Sequence, residues 1–362
     1  MHPSADPIEA VSQRLARFVG SQRSAWEASG PETQVFLDAA AGTLEGGKRL
    51  RARFCVTGWR AVAEKDRRRD GIPESVSDAA AALEIFHAAA LVHDDIIDNS
   101  DTRRGQPAAH RRLERDHARA AWAGDAGAFG RSSAVLLGDL LVAWSDDLLE
   151  QGLQDAAHAA AAREVYALMR REVTIGQFLD IAEEAAYTTA PDNAHADRAL
   201  RVASLKSARY SVQHPLLLGA ALAGADADQN GALAAFGHPI GLAFQLRDDI
   251  LGVFGDSAVT GKPSGDDLRE GKRTLLIAFT RERLAPPARR LMDELIGDPT
   301  LDAAQIASLQ QTIIDSGALD RVESAISAYA DEADRALRGA PLATSAVGAL
   351  RDLAHAAIAR SA

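Results

Sequence analysis

The stretch Leu91-Val92-His93-Asp94-Asp95-Ile96-Ile97-Asp98, followed by Asn99-Ser100-Asp101-Thr102-Arg103-Arg104-Gly105, decides how the rest of the chain is read. It closes an apolar, alanine-rich run that begins at Ala79. As a helix, the run places Asp94 and Asp98 on one face, with Asp95 beside them. Carboxylates crowded on a last helical turn repel one another and oppose the negative end of the helix dipole. Something positive has to offset them. A hard divalent cation is the natural partner, and Mg2+ commonly bridges carboxylates and phosphate oxygens. Arg103 and Arg104 then point to an anion, because guanidinium groups recognise phosphate bidentately.

A second acidic cluster, Phe244-Gln245-Leu246-Arg247-Asp248-Asp249-Ile250-Leu251-Gly252, has the same form: an Asp pair late in a long apolar helix. One such pair is usually a solvated helix end. Two of them, each with basic residues downstream, are hard to read as surface decoration. Facing each other, they would form a carboxylate-lined mouth above an apolar shaft. Basic residues punctuate the remaining loops. Gly46-Gly47-Lys48-Arg49-Leu50-Arg51 puts cations and backbone amides at a helix start, a ready anion site. Lys206 precedes Ser207 at another junction, and Lys262 and Lys272 flank the loop after the second cluster. Taken singly, each lysine reads as surface. His87 lies two helical turns before Asp94 on nearly the same face, and a lone histidine there is more often a core group than a ligand.

Composition narrows the class. The chain has 362 residues, a net charge of −11 and 47% hydrophobic residues, rich in alanine and leucine. That favours helices over sheet and argues against a nucleic-acid binder. Cys55 is the only cysteine, so no intrachain disulfide can form and a reducing cytoplasm fits. Residues Met1 to Arg14 lack the pattern of a signal peptide, and no window approaches an uninterrupted apolar membrane span. The chain reads as soluble and cytoplasmic. Helical periodicity predicts helices over 7–28, to Leu44, from Lys48 through Trp59, and over 75–99, 132–151, 156–186, 193–224, 229–253, 274–284, 287–296 and 303–360. Pro215 and Pro239 are expected kinks, and Gly317 and Pro341 expected breaks. No strand alternation, repeat or linker divides the chain. The expectation is one all-α domain over residues 1–362.

These residues resemble the trans-isoprenyl diphosphate synthase (polyprenyl synthetase) family. The likeness runs from about Leu44 to Thr274 (44–274) and rests on an ordered set. It comprises Gly-Gly-Lys-Arg-x-Arg, His-Asp-Asp-x-x-Asp with Arg-Arg-Gly downstream, and Gly-Asp-x-Leu at Gly138 to Leu141. Gly-Gln-x-x-Asp at Gly176 to Asp180, Lys-Ser at 206, Phe-Gln-x-x-Asp-Asp at 244 and the Gly-Lys pairs complete it. The resemblance implies a homodimeric, isoprenoid-synthase-type helical bundle around a deep central cavity. It implies head-to-tail condensation of allylic diphosphates with isopentenyl diphosphate. By that analogy Asp94 and Asp98 hold two Mg2+ and Asp248 a third, three ions in all, with Asp95 and Asp249 in support and Lys206 also catalytic. Arg103, Lys206, Ser207, Gln245, Lys262 and Lys272 would hold the allylic diphosphate. Lys48, Arg51, His87 and Arg104 would hold isopentenyl diphosphate.

One position departs from the pattern. Many relatives read Asp-Asp-x-x-Asp at the second motif, but here the fifth residue is Gly252. The expectation is a thinner outer carboxylate shell, with help from Asp256. In the family, bulky residues four and five before the first Asp floor the cavity and stop growth at fifteen carbons. Here Ala90 and Ala89 stand there, and Phe86 is the next large group, a turn of about 5.4 Å further down. A twenty-carbon product, geranylgeranyl diphosphate, follows, against farnesyl or longer polyprenyl products. A terpene cyclase shares the first motif but uses an Asn/Asp-x-x-Ser/Thr-x-x-x-Glu second site and needs no isopentenyl site. A non-catalytic regulatory subunit would have lost acidic motif residues.

Overall fold

The computed structural model describes residues 6–63, 71–256 and 264–359. These fall into two compact units, 1–162 with 218–225 and 163–217 with 226–362. Nearly all of the regular structure is helical, as the alanine and leucine content requires.

The first unit is built round α4 (Glu74–Ile97). Before it come α1 (Pro7–Ala25), α2 (Pro31–Thr43) and α3 (Leu50–Val62), and after it α5 (Ala109–Arg119) and α6 (Ala126–Leu153). From Val76 to Phe86 every residue of α4 is buried. Leu83 and Ile85 are fully enclosed, each worth about 1.5–3 kcal/mol by area. Small residues on α6 allow the close approach. A Cβ on Gly152 would sit 2.5 Å from the Asp78 Cβ, and one on Gly138 would run into the His93 ring. A side chain at either position would push the helices apart. Near its start α4 is pinned by Arg14, whose Nε donates to Asp78 at 2.5 Å. Cys55 is buried, and burial pushes its thiol up to about 12. Two helices, α4 and α6, are long and apolar enough to cross a membrane by length and composition. The apolar window of α4 is 78% buried, as in a core helix, and that of α6 only 28%.

The second unit is built round α10 (Ala227–Phe254), which a capping box opens: Asp226 accepts from Gln229 N, and Gln229 accepts in return from Asp226 N. Most of α7 (Ala159–Ala186), α8 (His195–Val202) and a π-helix (Ala203–Gln213) precede it. After α10 come α11 (Asp266–Glu270), α12 (Leu275–Arg283), α13 (Pro286–Leu295), α14 (Ala303–Asp315), α15 (Ala318–Ala336) and α16 (Thr344–Ile358). Leu246, Ile250 and Val253 of α10 share one buried cluster with Leu276, Ile313 and Val322. Arg247 forks onto Glu323 of α15 at 2.5 and 2.7 Å and ties the two helices together.

Three local features differ from the periodicity reading. The span expected over 193–224 is helical from His195 to Ala223, but over Ala203–Gln213 it widens to a π-helix that runs directly into α9 (His214–Ala223), with Pro215 just past that junction. Pro239 lies inside an unbroken α10. Thr102–Arg103 and Gln106–Pro107 form a minimal antiparallel hairpin where no strand was expected. Its two-residue turn, Arg104-Gly105, has positive φ at both positions, 54° and 72°, the requirement of a type I′ turn. The expected breaks near Gly317 and Pro341 occur.

Candidate active site

The last turn of α4 presents its acids as two classes. Asp94 and Asp98 are half-buried, whereas Asp95 is 3% exposed. The helix stops at Asp98, whose N–H still donates to Asp94 O at 2.8 Å, and Asn99 turns away at φ 53°. The short hairpin then folds Arg103 back. Its Nε donates to Asp95 Oδ1 at 2.9 Å, a second nitrogen also reaches that oxygen, and Asp94 Oδ2 lies 3.5 Å away. The positive group that the crowded acids need is thus partly supplied by the chain's own next element. The tight turn gives Arg104 the opposite direction, donating to Glu45 O at 3.3 Å beside Gly47.

That contact joins two of the expected anion-binding stretches. Arg49, Arg51, Arg103 and Arg104 all act on His87 of α4. Burial and then these four guanidinium groups hold His87 well below its ordinary value of 6.5, so the ring stays neutral in an arginine-rich setting. Arg51 is 9% exposed, while Lys48 is exposed on the preceding loop. Arg49, not among the expected ligands, adopts φ 50° and pairs with Glu84 at 3.5 Å. Glu84 in turn accepts from Ala52 N at 3.1 Å, fixing the start of α3. Below Asp94, Ala89 is 1% exposed, Ala90 half-buried and Phe86 7% exposed.

In the second unit the Asp pair on α10 repeats the division. Asp248 is half-buried; Asp249 is 7% exposed and accepts from Gln245 Nε2 at 2.7 Å. Burial pushes the Asp249 carboxyl well above its ordinary value. The Gln245 hydrogen bond opposes this, and the charges of Asp267, Asp248 and Asp180 add to it. Gln245, expected on an allylic diphosphate, is therefore engaged with its own helix.

The lysines converge from two directions. The π-helix carries Lys206 and lies against two glycines: a Cβ on Gly176 of α7 would stand 2.7 Å from Lys206 Cα, and one on Gly241 of α10 would stand 2.6 Å from Ala208 Cα. So held, Lys206 Nζ donates to Asp180 Oδ2 at 2.5 Å. Lys272, just after α11, donates to the same oxygen at 3.3 Å and to Glu184 at 3.2 Å. Asp180 therefore gathers both ammonium groups, a role visible in the sequence only as the last letter of Gly-Gln-x-x-Asp. Gln177 of that motif has a buried Nε2 with no hydrogen-bond partner among the described residues. Ser207 is half-buried. Lys262 lies outside the described residues. Asp256, expected to assist, is exposed beyond the end of α10.

Each end, within its own unit, supplies half-buried carboxylate, a buried hydrogen-bonded carboxylate beside it, and cations nearby in the chain. The Polyprenyl synthetase family model matches residues 33–313. The chain belongs to the polyprenyl synthetase family. It is 32% identical over 299 residues to the geranylfarnesyl diphosphate synthase of Aeropyrum pernix, covering 82% of this chain and 84% of that one. Against the geranylgeranyl diphosphate synthase of Methanosarcina mazei it is 30% identical over 287 residues, 79% of this chain and 78% of that one. Among solved structures it resembles a geranylgeranyl pyrophosphate synthase from Corynebacterium glutamicum, complexed with isoprenyl diphosphate and magnesium. The TM-score is 0.89 and the identity 38%, over 98% of each chain.

As a polyprenyl synthetase the chain is a prenyltransferase that elongates trans-prenyl chains, and the family takes allylic and isopentenyl diphosphates with Mg2+. The donors suit that ion. Asp94, Asp98 and Asp248 offer hard oxygen ligands at half-exposed helix ends. Asp95 and Asp249 are buried and hydrogen-bonded behind them.

Proposed function

We propose that this chain condenses allylic diphosphates with isopentenyl diphosphate to give geranylgeranyl diphosphate. The observation that carries the chain length is the helix face below Asp94, where Ala89 and Ala90 are small and Phe86 is the first bulky group. The name of the M. mazei relative supports that length, and that of the A. pernix relative favours a product one unit longer. Residues 1–362 are read as one catalytic domain, since the family match runs through both compact units. A homodimer is supported by the thinly covered apolar face of α6, where Val135 is 44% and Leu136 62% exposed. A reducing cytoplasm suits the single buried cysteine.

In this reading Asp94 and Asp98 hold two Mg2+ and Asp248 a third. Bound Mg2+ supplies Lewis acidity to the departing diphosphate. The side chains do the rest. Lys206, Lys272 and Lys262 receive the allylic diphosphate and stabilise the charge that builds on it as its C–O bond breaks. Arg103, Ser207 and Gln245 orient it. Lys48, Arg51, His87 and Arg104 fix the isopentenyl diphosphate, so that its double bond meets the allylic carbon in one geometry. A neutral His87 donates a hydrogen bond without adding charge to four arginines.

The test is product length. Purified protein with Mg2+, isopentenyl diphosphate and dimethylallyl, geranyl or farnesyl diphosphate should accumulate a twenty-carbon diphosphate, and Phe86→Ala should shift it to longer chains. Arrest at fifteen carbons, or an unaltered Phe86→Ala distribution, places the floor elsewhere. Hydrocarbon release from farnesyl diphosphate alone would favour a cyclase, and no turnover with any primer a regulatory subunit.

A further inference from the structure

The end of α7 carries Asp180 and Glu184, and Tyr187 opens the single 3-10 turn that follows. At helical spacing these three side chains share one face. Two consecutive residues of the link between α11 and α12 meet that face. Lys272 Nζ donates to Asp180 at 3.3 Å and to Glu184 at 3.2 Å. Arg273 lays its guanidinium over the Tyr187 ring, 4.2 Å from the centroid.

Both members of that stack are fixed by further contacts. Tyr187 is 2% exposed, with the His195 ring centroid 4.0 Å from its own and the Arg281 guanidinium 4.9 Å from it. The Arg273 side chain is 10% exposed. Its Nη2 donates to Ile296 O at 3.3 Å and to Asp293 O at 3.4 Å, at the end of α13. Arg281 forks onto the Asp293 carboxylate at 2.8 and 2.6 Å, which holds α13 in place from the other side. Lys272, by contrast, is a point charge on a flexible four-carbon stem. What sets its direction is the backbone it leaves from, and the next residue along that backbone is clasped. A cation–π contact is strongest when it is desolvated, as this one is.

We propose that the Arg273–Tyr187 stack is a positioning clasp for Lys272, aiming its ammonium at the Asp180–Glu184 face of α7 where the allylic diphosphate is received. This rests on the diphosphate-synthase reading of Lys272.

The test is steady-state kinetics of the full-length protein with Mg2+, varying geranyl diphosphate at saturating isopentenyl diphosphate and then the reverse. Tyr187→Leu removes the ring and should raise the KM for geranyl diphosphate about tenfold, leaving that for isopentenyl diphosphate unchanged. Tyr187→Phe keeps the ring and should behave as wild type. Arg273→Lys loses the flat guanidinium and should fall between the two. A purely structural defect would lower the folded fraction, so kcat would drop with both KM values unmoved. The double variant Tyr187→Leu/Lys272→Ala should match Lys272→Ala, because the clasp acts through that lysine. An unchanged geranyl diphosphate KM in Tyr187→Leu, or a double variant worse than Lys272→Ala, overturns the clasp and leaves the synthase reading intact. A wild-type geranyl diphosphate KM in Lys272→Ala overturns the placement of the lysine and the clasp with it. Should Tyr187→Leu unfold, Arg273→Lys decides by the same KM, and a wild-type value there overturns the clasp.

Discussion

At the end of α4, the buried member of the acid pair, Asp95, is held by the guanidinium of Arg103. At the end of α10, the corresponding Asp249 accepts from the neutral amide of Gln245, and burial with three neighbouring acids raises its carboxyl well above the ordinary value. Lys206 and Lys272 of the same unit both donate to Asp180. The buried acid of each pair is therefore met differently, by a guanidinium in one unit and by a neutral amide in the other. The difference teaches that one acid pair can be set in two electrostatic surroundings while its first member stays half-buried in both.

The harshest way to break the comparison is to remove an exposed acid. Asp94→Ala should cut turnover by on the order of 10³-fold while leaving the Arg103–Asp95 pair and the ligand-free melting temperature near wild type. Steady-state kinetics beside a melting curve check this. Turnover within tenfold of wild type would place the chemistry elsewhere.

The buried acids sharpen it. Asp95→Asn deprives Arg103 of a charged acceptor and should cost about 1.5–3 kcal/mol, the range for hydrogen bonds to charged groups. Asp249→Asn keeps an oxygen for Gln245 and removes charge from a buried, acid-crowded place, so it should cost less than Asp95→Asn. Denaturant midpoints of the two variants at neutral pH and without metal decide it. Equal losses would mean that the two ends are balanced alike.

A smaller effect belongs to the arginine-rich end alone. His87 sits below its ordinary value of 6.5 in the folded chain. As pH falls past 6.5 the unfolded chain gains a proton that the native state refuses, so stability declines toward acid, by at most about 1.4 kcal/mol per pH unit for this group. His87→Gln should remove part of the loss between pH 7 and 5.5. The rest should persist, because His110, His195, His214 and His238 are lowered too. An acid limb unchanged in the variant would clear His87 of the effect.

Much of this contrast was legible in the sequence, and what was not has identifiable causes. The helix ends at Asp94 and Asp248 follow from period and composition, as does the all-α fold. The hairpin was missed because two-residue strands have no periodicity; only Arg104-Gly105 signals it. The π-helix is invisible to a 3.6-residue reading, and Gly176 and Gly241, which admit it, look like ordinary helical glycines. Asp180 was within a quoted motif, yet its hold on two lysines is a tertiary fact.

The proposed function requires that Asp94, Asp98 and Asp248 all take up metal when diphosphate is bound. Counting Mn2+ bound per chain by electron paramagnetic resonance, with inorganic pyrophosphate, tests this directly. Three ions are expected in the wild type, with a loss of one in Asp248→Asn and two in Asp94→Asn. Equal counts in all three proteins would contradict it.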